Sequence, residues 1–154
     1  MKMKSNSYEI EMVCMTHTGH IRVHNEDNIS FDGFYLPEEH QSMGEPMLCR
    51  LKGGSCGKAA VFDGMGGESR GELASYTAAK MLTEEMEEDR WTRGKLFQMV
   101  ESLNHEVCRV GEELKIGRMG TTAAILAMNP GEIWACNVGD SPIYLYRNGQ
   151  LKML

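Results

Sequence analysis

The chain has 154 residues, 42% of them hydrophobic and 25% charged, which is the balance of an ordinary soluble domain, so one core and a single domain spanning 1–154 are expected. Its formal net charge of -6 carries no basic cluster that would draw in a polyanion, and nucleic acid is set aside as a partner. No window reaches the roughly 18 apolar residues of a membrane span, and the five cysteines are odd in number without C-x-x-C spacing, so a cytoplasmic protein with reduced thiols and no membrane contact is expected.

Tyr8 to Cys14 alternates with the strand period, placing Ile10, Met12 and Cys14 on one face. A loop from Thr16 to Asn28 follows, then Ile29 to Leu36, rich in β-branched and aromatic residues, reads as a second strand. From Pro37 to Gly57 the chain is polar and broken by glycine and proline, the composition of a long hairpin connection. Lys58 to Phe62 reads as a short buried strand that delivers Asp63 into a glycine-rich turn.

Ser69 and Glu72 have the S-x-x-E form of a capping box, so a helix is expected to start near Ser69. It would bury Leu73, Ala74, Ala78, Met81, Leu82 and Met86 and end in the solvated acidic run Glu84, Glu85, Glu87, Glu88. A second helix is expected from about Thr92 to Leu114, because Leu96, Met99, Val100, Leu103, Val107 and Val110 recur at steps of three and four. Thr121 to Met128, Glu132 to Val138 and Ile143 to Arg147 read as strands. Asn148-Gly149 is a type I′ hairpin signal that pairs the last of these with Gln150 to Leu154. Strands, two helices and then antiparallel strands predict an α+β fold with helices laid against a sheet.

Three segments carry candidate chemistry. Arg22-Val23-His24-Asn25-Glu26-Asp27 sets two adjacent carboxylates near a fixed positive charge. Val61-Phe62-Asp63-Gly64-Met65-Gly66-Gly67 ends an apolar strand in one carboxylate, with glycines that let a ligand approach the backbone. Gly120-Thr121-Thr122 is followed by Asn137-Val138-Gly139-Asp140-Ser141, another acid at a strand end. Each alone reads as a surface loop or an ordinary turn. Together they place carboxylates at the ends of several strands, the arrangement from which hard divalent cations gather oxygen ligands.

In that order, R-x-x-N-E-D, V-F-D-G-M-G-G-x-x-x-G-E-x-A-S from Val61 to Ser75, M-G-T-T and V-G-D-S resemble the type-2C protein phosphatases over about Thr18 to Leu154. The resemblance implies two antiparallel sheets stacked face to face with helices outside, and metal-dependent hydrolysis of phosphoserine and phosphothreonine in proteins. It implies two Mn²⁺ or Mg²⁺ ions bridged by Asp63, with Glu26, Asp27 and the Gly64 carbonyl as further ligands, Asp140 at a third, weaker site, and Arg22 gripping the phosphate. Paired cations of this kind activate a bridging water and neutralise the phosphate, so no protein nucleophile is required. Phosphorylated proteins are the implied substrates and a cognate protein kinase the implied partner.

Departures from the family pattern are expected to matter. The family's later acidic ligands, in an S-D-G-type segment and a final D-N pair, are not within these 154 residues, so the chain is expected to be an N-terminal portion with an incomplete site, and strands without partners are expected to drive homodimerisation. Met65 stands where some relatives carry a proton-donating histidine, and Pro142 where the family often has arginine. The rival reading is a phosphatase-like module that binds a kinase or phosphoprotein without turnover. A zinc site at Cys14, His17, His20 and His24 has no standard spacing. Gly53-Gly54-Ser55-Cys56-Gly57-Lys58 fails as a P-loop, since its first glycine is one place too close and Ala59 replaces Ser/Thr.

Overall fold

The computed structural model describes residues 9–52, 54–65, 70–84 and 90–154. In chain order its elements are β1 (Glu9–Cys14), β2 (Asp27–Phe31), β3 (Phe34–Tyr35), β4 (Met47–Lys52), β5 (Gly57–Met65), α1 (Gly71–Glu84), α2 (Arg93–Glu113), β6 (Gly120–Thr121), β7 (Ala123–Asn129), β8 (Glu132–Val138), β9 (Tyr144–Arg147) and β10 (Gln150–Met153). A six-stranded antiparallel sheet runs β3-β2-β5-β7-β8, with β6 also on β5, while β1–β4 and β9–β10 form separate pairs.

Alternation sorts the central strands into two faces. Ala60, Phe62, Ala123, Ile125 and Ala127 face the helices and pack with Leu82, Leu103 and their neighbours. Phe62 is completely buried, a burial that contributes about 1.5–3 kcal/mol. On the opposite face Ile29 and Phe31 pack with Leu36 and Cys49 against Met12 and Met47 of the β1–β4 pair. The layers are therefore helix, sheet and a second β layer, the α+β stacking that the sequence predicts.

Three expectations need revision. The strand expected at Lys58 to Phe62 runs from Gly57 to Met65, so Asp63 lies within β5 and not in a turn, held there by pairing with Asp27. The predicted strand from Ile29 to Leu36 is a tight hairpin, because Asp32 and Gly33 both adopt positive φ, at 50° and 77°, and fold β3 back on β2. The stretch from Pro37 to Gly57 is not all connection: Met47–Lys52 forms β4, paired residue for residue with β1 from Glu9↔Lys52 to Cys14↔Met47. Helix α2 matches its predicted span, with the Thr92 hydroxyl accepting from the Lys95 amide at 3.2 Å as N-cap. Ser69 of the expected capping box, Met86 and Glu85, Glu87 and Glu88 lie outside the described residues.

The buried side chain of Asn129, at the end of β7, holds the entry to α2 by accepting from the Trp91 amide at 2.7 Å and donating to the Trp91 carbonyl at 2.9 Å. At the far end, Asn148 and Gly149 adopt φ of 53° and 77°, the type I′ geometry expected, and set Tyr146 opposite Leu151 and Tyr144 opposite Met153. These four side chains share one face of the β9–β10 hairpin and all are exposed. Among the described residues, no helix is long and apolar enough to cross a membrane.

Candidate active site

The start of β2 and the end of β5 lie side by side, so Asp27 and Asp63 are direct cross-strand partners. The pairing continues as the Gly64 amide donates to the Glu26 carbonyl at 3.0 Å. Asp63 itself is clamped by Thr121, the last residue of β6, and Thr122, which leads into β7. Its amide donates to the Thr122 hydroxyl at 3.0 Å, and its carbonyl accepts from the Thr122 amide at 2.9 Å and the Thr121 hydroxyl at 3.0 Å. Asp27 is steadied from the other side, its amide donating to the Asn25 side chain at 3.2 Å, while Asn25 is buried and donates to the Thr16 hydroxyl at 3.0 Å.

Glycines bring the pieces into contact. A side chain at Gly64 would fall on the Gly71 carbonyl, so β5 and the start of α1 touch through bare backbone. At Gly71, an added Cβ would lie 2.9 Å from the Gly64 carbonyl oxygen and 3.2 Å from the Glu26 carboxyl carbon, so two of the predicted oxygen donors border one small cradle. Gly139, at φ 92°, passes over Thr122, whose methyl would lie 2.8 Å from an added Cβ, and so leads Asp140 to the same end of the sheet.

A cleft of about 530 Å³ results, lined by Arg22, His24, Glu26, Asp63, Gly64 and Asp140, with Val23 and Met65 at its apolar edge. The structure thus brings five of the six predicted site residues to one cleft and places the sixth, Asp27, beside Asp63 in the adjoining strand. Arg22 donates to the Glu26 carboxylate at 3.0 Å, so two residues predicted to serve phosphate and metal pair with each other here. Burial first, and then the charge and hydrogen bond of Asp63, push the Asp27 carboxyl above the usual carboxylate range, while Arg22 and His40 act in the opposite sense.

Among the described residues, no three Asp, Glu, His or Cys side chains converge closely enough to hold a metal ion as they stand. The donor set still fits a hard divalent cation: every candidate is an oxygen, Asp27 and Asp63 repel each other with no cation between them, and the Gly71 cradle holds the Glu26 carboxyl and Gly64 carbonyl close together. Sequence reasoning quoted Thr122, Gly71 and Asn25 inside its motifs but gave them no role. Their work is done by backbone hydrogen bonds and a missing Cβ, which a residue pattern does not display.

A profile of the family described as "Protein phosphatase 2C" matches residues 42–154. The chain belongs to the protein phosphatase 2C family. Among similar proteins, "Serine/threonine phosphatase stp" of Listeria monocytogenes is 29% identical over 150 residues, covering 90% of this chain and 51% of that protein. "Putative protein phosphatase 2C-type" of Streptococcus pyogenes is 30% identical over 99 residues, covering 61% of this chain and 40% of that protein. The chain spans about half the length of the curated relatives it matches.

Solved structures repeat the pattern. PppA of Pseudomonas aeruginosa superposes with a TM-score of 0.69 at 23% identity, covering 96% of this chain and 57% of PppA. A structure of the phosphatase PstP in complex with two manganese ions gives a TM-score of 0.58 at 20% identity, covering 96% and 55%. At these identities the superpositions establish the protein phosphatase 2C fold.

Proposed function

We propose that this chain carries the N-terminal side of a divalent-metal phosphomonoesterase site that acts on phosphoserine and phosphothreonine in proteins. The observation that carries the reading is the Asp27–Asp63 cross-strand pair beside a cleft that also holds Arg22, Glu26 and Asp140. Asp63, Asp27, Glu26, the Gly64 carbonyl and Asp140 would hold Mn²⁺ or Mg²⁺, two ions in a complete site and a third near Asp140. When bound, such ions supply an activated water and charge neutralisation at the phosphate.

The chain's own residues bind and orient. Arg22, two-thirds exposed and tethered to Glu26 by one exposed ion pair, is free to turn its planar fork to a phosphate dianion, because such pairs contribute only about 0–1 kcal/mol. The clamp from Thr121 and Thr122 fixes the Asp63 backbone, so its carboxylate is presented at a constant height above the sheet. Met65 has no proton to give, and leaving-oxygen protonation is not assigned to it.

A second reading, a module that binds a kinase or phosphoprotein without turnover, is favoured by the absence of three converging ligand side chains among the described residues. Mn²⁺-dependent hydrolysis of p-nitrophenyl phosphate by the 154-residue chain and by Asp63→Asn decides between them. The phosphatase reading requires turnover that Asp63→Asn removes. Silence at every Mn²⁺ concentration, with phosphopeptide binding retained, would establish the binding module.

Self-association through the exposed Tyr144, Tyr146, Leu151 and Met153 face of the hairpin forms part of the same proposal, with a cognate kinase as a further partner. A monomer by light scattering would refute the dimer. A cytoplasmic setting is supported by five cysteines, none of which is joined in a disulfide.

A further inference from the structure

Met65 has two neighbours of opposite character. One side borders the acidic cleft, and the other walls a cavity of about 190 Å³ between α2 and the ends of β5, β6 and β7. Phe62, Leu103, Val107, Cys108 and Met119 form much of that wall, none of the described residues lining it is charged, and Asn104 stands at the exposed rim. Three of the lining side chains, Met65, Met119 and Cys108, end in or carry sulfur, and polarizable sulfur makes favourable contacts with aromatic ring edges. An apolar cavity of roughly 150 Å³ holds benzene, so this one has room for a fused bicyclic ring. Charged ligands are disfavoured because nothing inside would compensate their desolvation.

We propose that this cavity is a binding site for a small neutral aromatic molecule of indole size, and that its occupancy is felt at Asp63. The linkage is short. Met65 lies across Gly120, with its terminal methyl 3.3 Å from where a Cβ would sit, and pairs with Gly120 in the β5–β6 ladder. Thr121, the next residue, lines the cavity and donates its hydroxyl to the Asp63 carbonyl at 3.0 Å. A ring filling the cavity bears on Met65, two residues beyond Asp63 in β5, and on Thr121, which holds the Asp63 carbonyl, and Asn104 offers an amide to one polar group at the mouth. The effect on catalysis rests on the phosphatase reading above, whereas the binding does not.

The test is a titration of the 154-residue chain with indole, followed through the methyl resonances of carbon-13-labelled methionines, Met65 and Met119 being assigned by Met→Leu variants. Saturable shifts of these two signals are expected. Cys108 is exposed, so Cys108→Trp is expected to keep the fold, checked by far-UV circular dichroism, and to place its ring in the mouth; it should weaken binding at least about tenfold, a loss of ~1.4 kcal/mol. Val107→Trp, which fills the interior, serves as a second block read the same way if it folds. The absence of saturable shifts, or affinity unchanged in Cys108→Trp, overturns the site. If indole binds while Mn²⁺-dependent hydrolysis of p-nitrophenyl phosphate is unaltered at saturation, the coupling to Asp63 is overturned. If no hydrolysis occurs with or without indole, the phosphatase reading fails, and coupling is then judged by Mn²⁺ affinity, which must change with indole bound.

Discussion

The Thr122 hydroxyl accepts from the Asp63 amide at 3.0 Å and hydrogen-bonds the Ser141 hydroxyl at 2.6 Å. One buried side chain thus joins Asp63, near the end of β5, to the loop of Asp140.

Thr122→Val keeps the shape and removes the acceptor. The Asp63 amide is then left without its partner beside the cleft, a loss of about 1–3 kcal/mol. Urea unfolding of the metal-free protein should show it; a midpoint equal to that of the parent would mean the clamp is not energetically engaged.

Gly71→Ala tests the cradle. Its Cβ would meet the Gly64 carbonyl at 2.9 Å and the Glu26 carboxyl carbon at 3.2 Å, so the donors must part. Far-UV circular dichroism is expected to stay native while calorimetric Mn²⁺ affinity drops at least about tenfold. Gly64→Ala strikes the Gly71 and Glu26 carbonyls more closely still and should cost about 1–3 kcal/mol of stability. Undiminished Mn²⁺ affinity in Gly71→Ala would remove Glu26 or Gly64 from the ligand set.

Asp27→Asn should separate stability from metal binding. The folded state raises the Asp27 pKa, so the fold disfavours its ionised form, and stability present below the unfolded pKa is lost as pH rises through the folded one. Without metal, Asp27→Asn is therefore expected to melt above the parent at neutral pH, with the gap closing in acid. With saturating Mn²⁺ the order should reverse, because the parent binds the ion more tightly and gains more stability from it. A variant that melts below the parent without metal at neutral pH would contradict this account.

Asn129→Ala removes both hydrogen bonds to the Trp91 backbone, one at 2.7 Å and one at 2.9 Å, and leaves buried groups unpaired. Roughly 2–4 kcal/mol of stability should be lost. Differential scanning calorimetry measures it, and a change below ~0.5 kcal/mol, the range of ordinary surface substitutions, would show that water replaces the side chain.

Much of this layout was legible in the sequence. Helical periodicity in Leu96, Met99, Leu103 and Val107 marked α2 nearly to its ends, and Asn148-Gly149 marked the last hairpin, because both signals are local. β4 was hidden since Met47 to Lys52 sits among glycines and prolines and gains its strand character only from pairing with β1. Asp32 at positive φ was equally hidden, an aspartate tolerating a turn that glycine usually signals. At the site, the acids could be read from their motifs. Their second role could not: that Asp27 faces Asp63 across two strands, or that Arg22 pairs with Glu26, depends on register and loop path.

That register has a consequence for how the protein can be lengthened or shortened. Side chains alternate with period two, so inserting one residue between Asp27 and Phe31 would place Asp27 or the apolar pair Ile29 and Phe31 on the wrong face of the sheet. Asp27, a proposed metal ligand, and the second core are thus indexed to each other like teeth on one rack. Natural length variation should be absent from β2 and concentrated instead in the exposed turn at Asp32 and Gly33, where an extra residue moves neither.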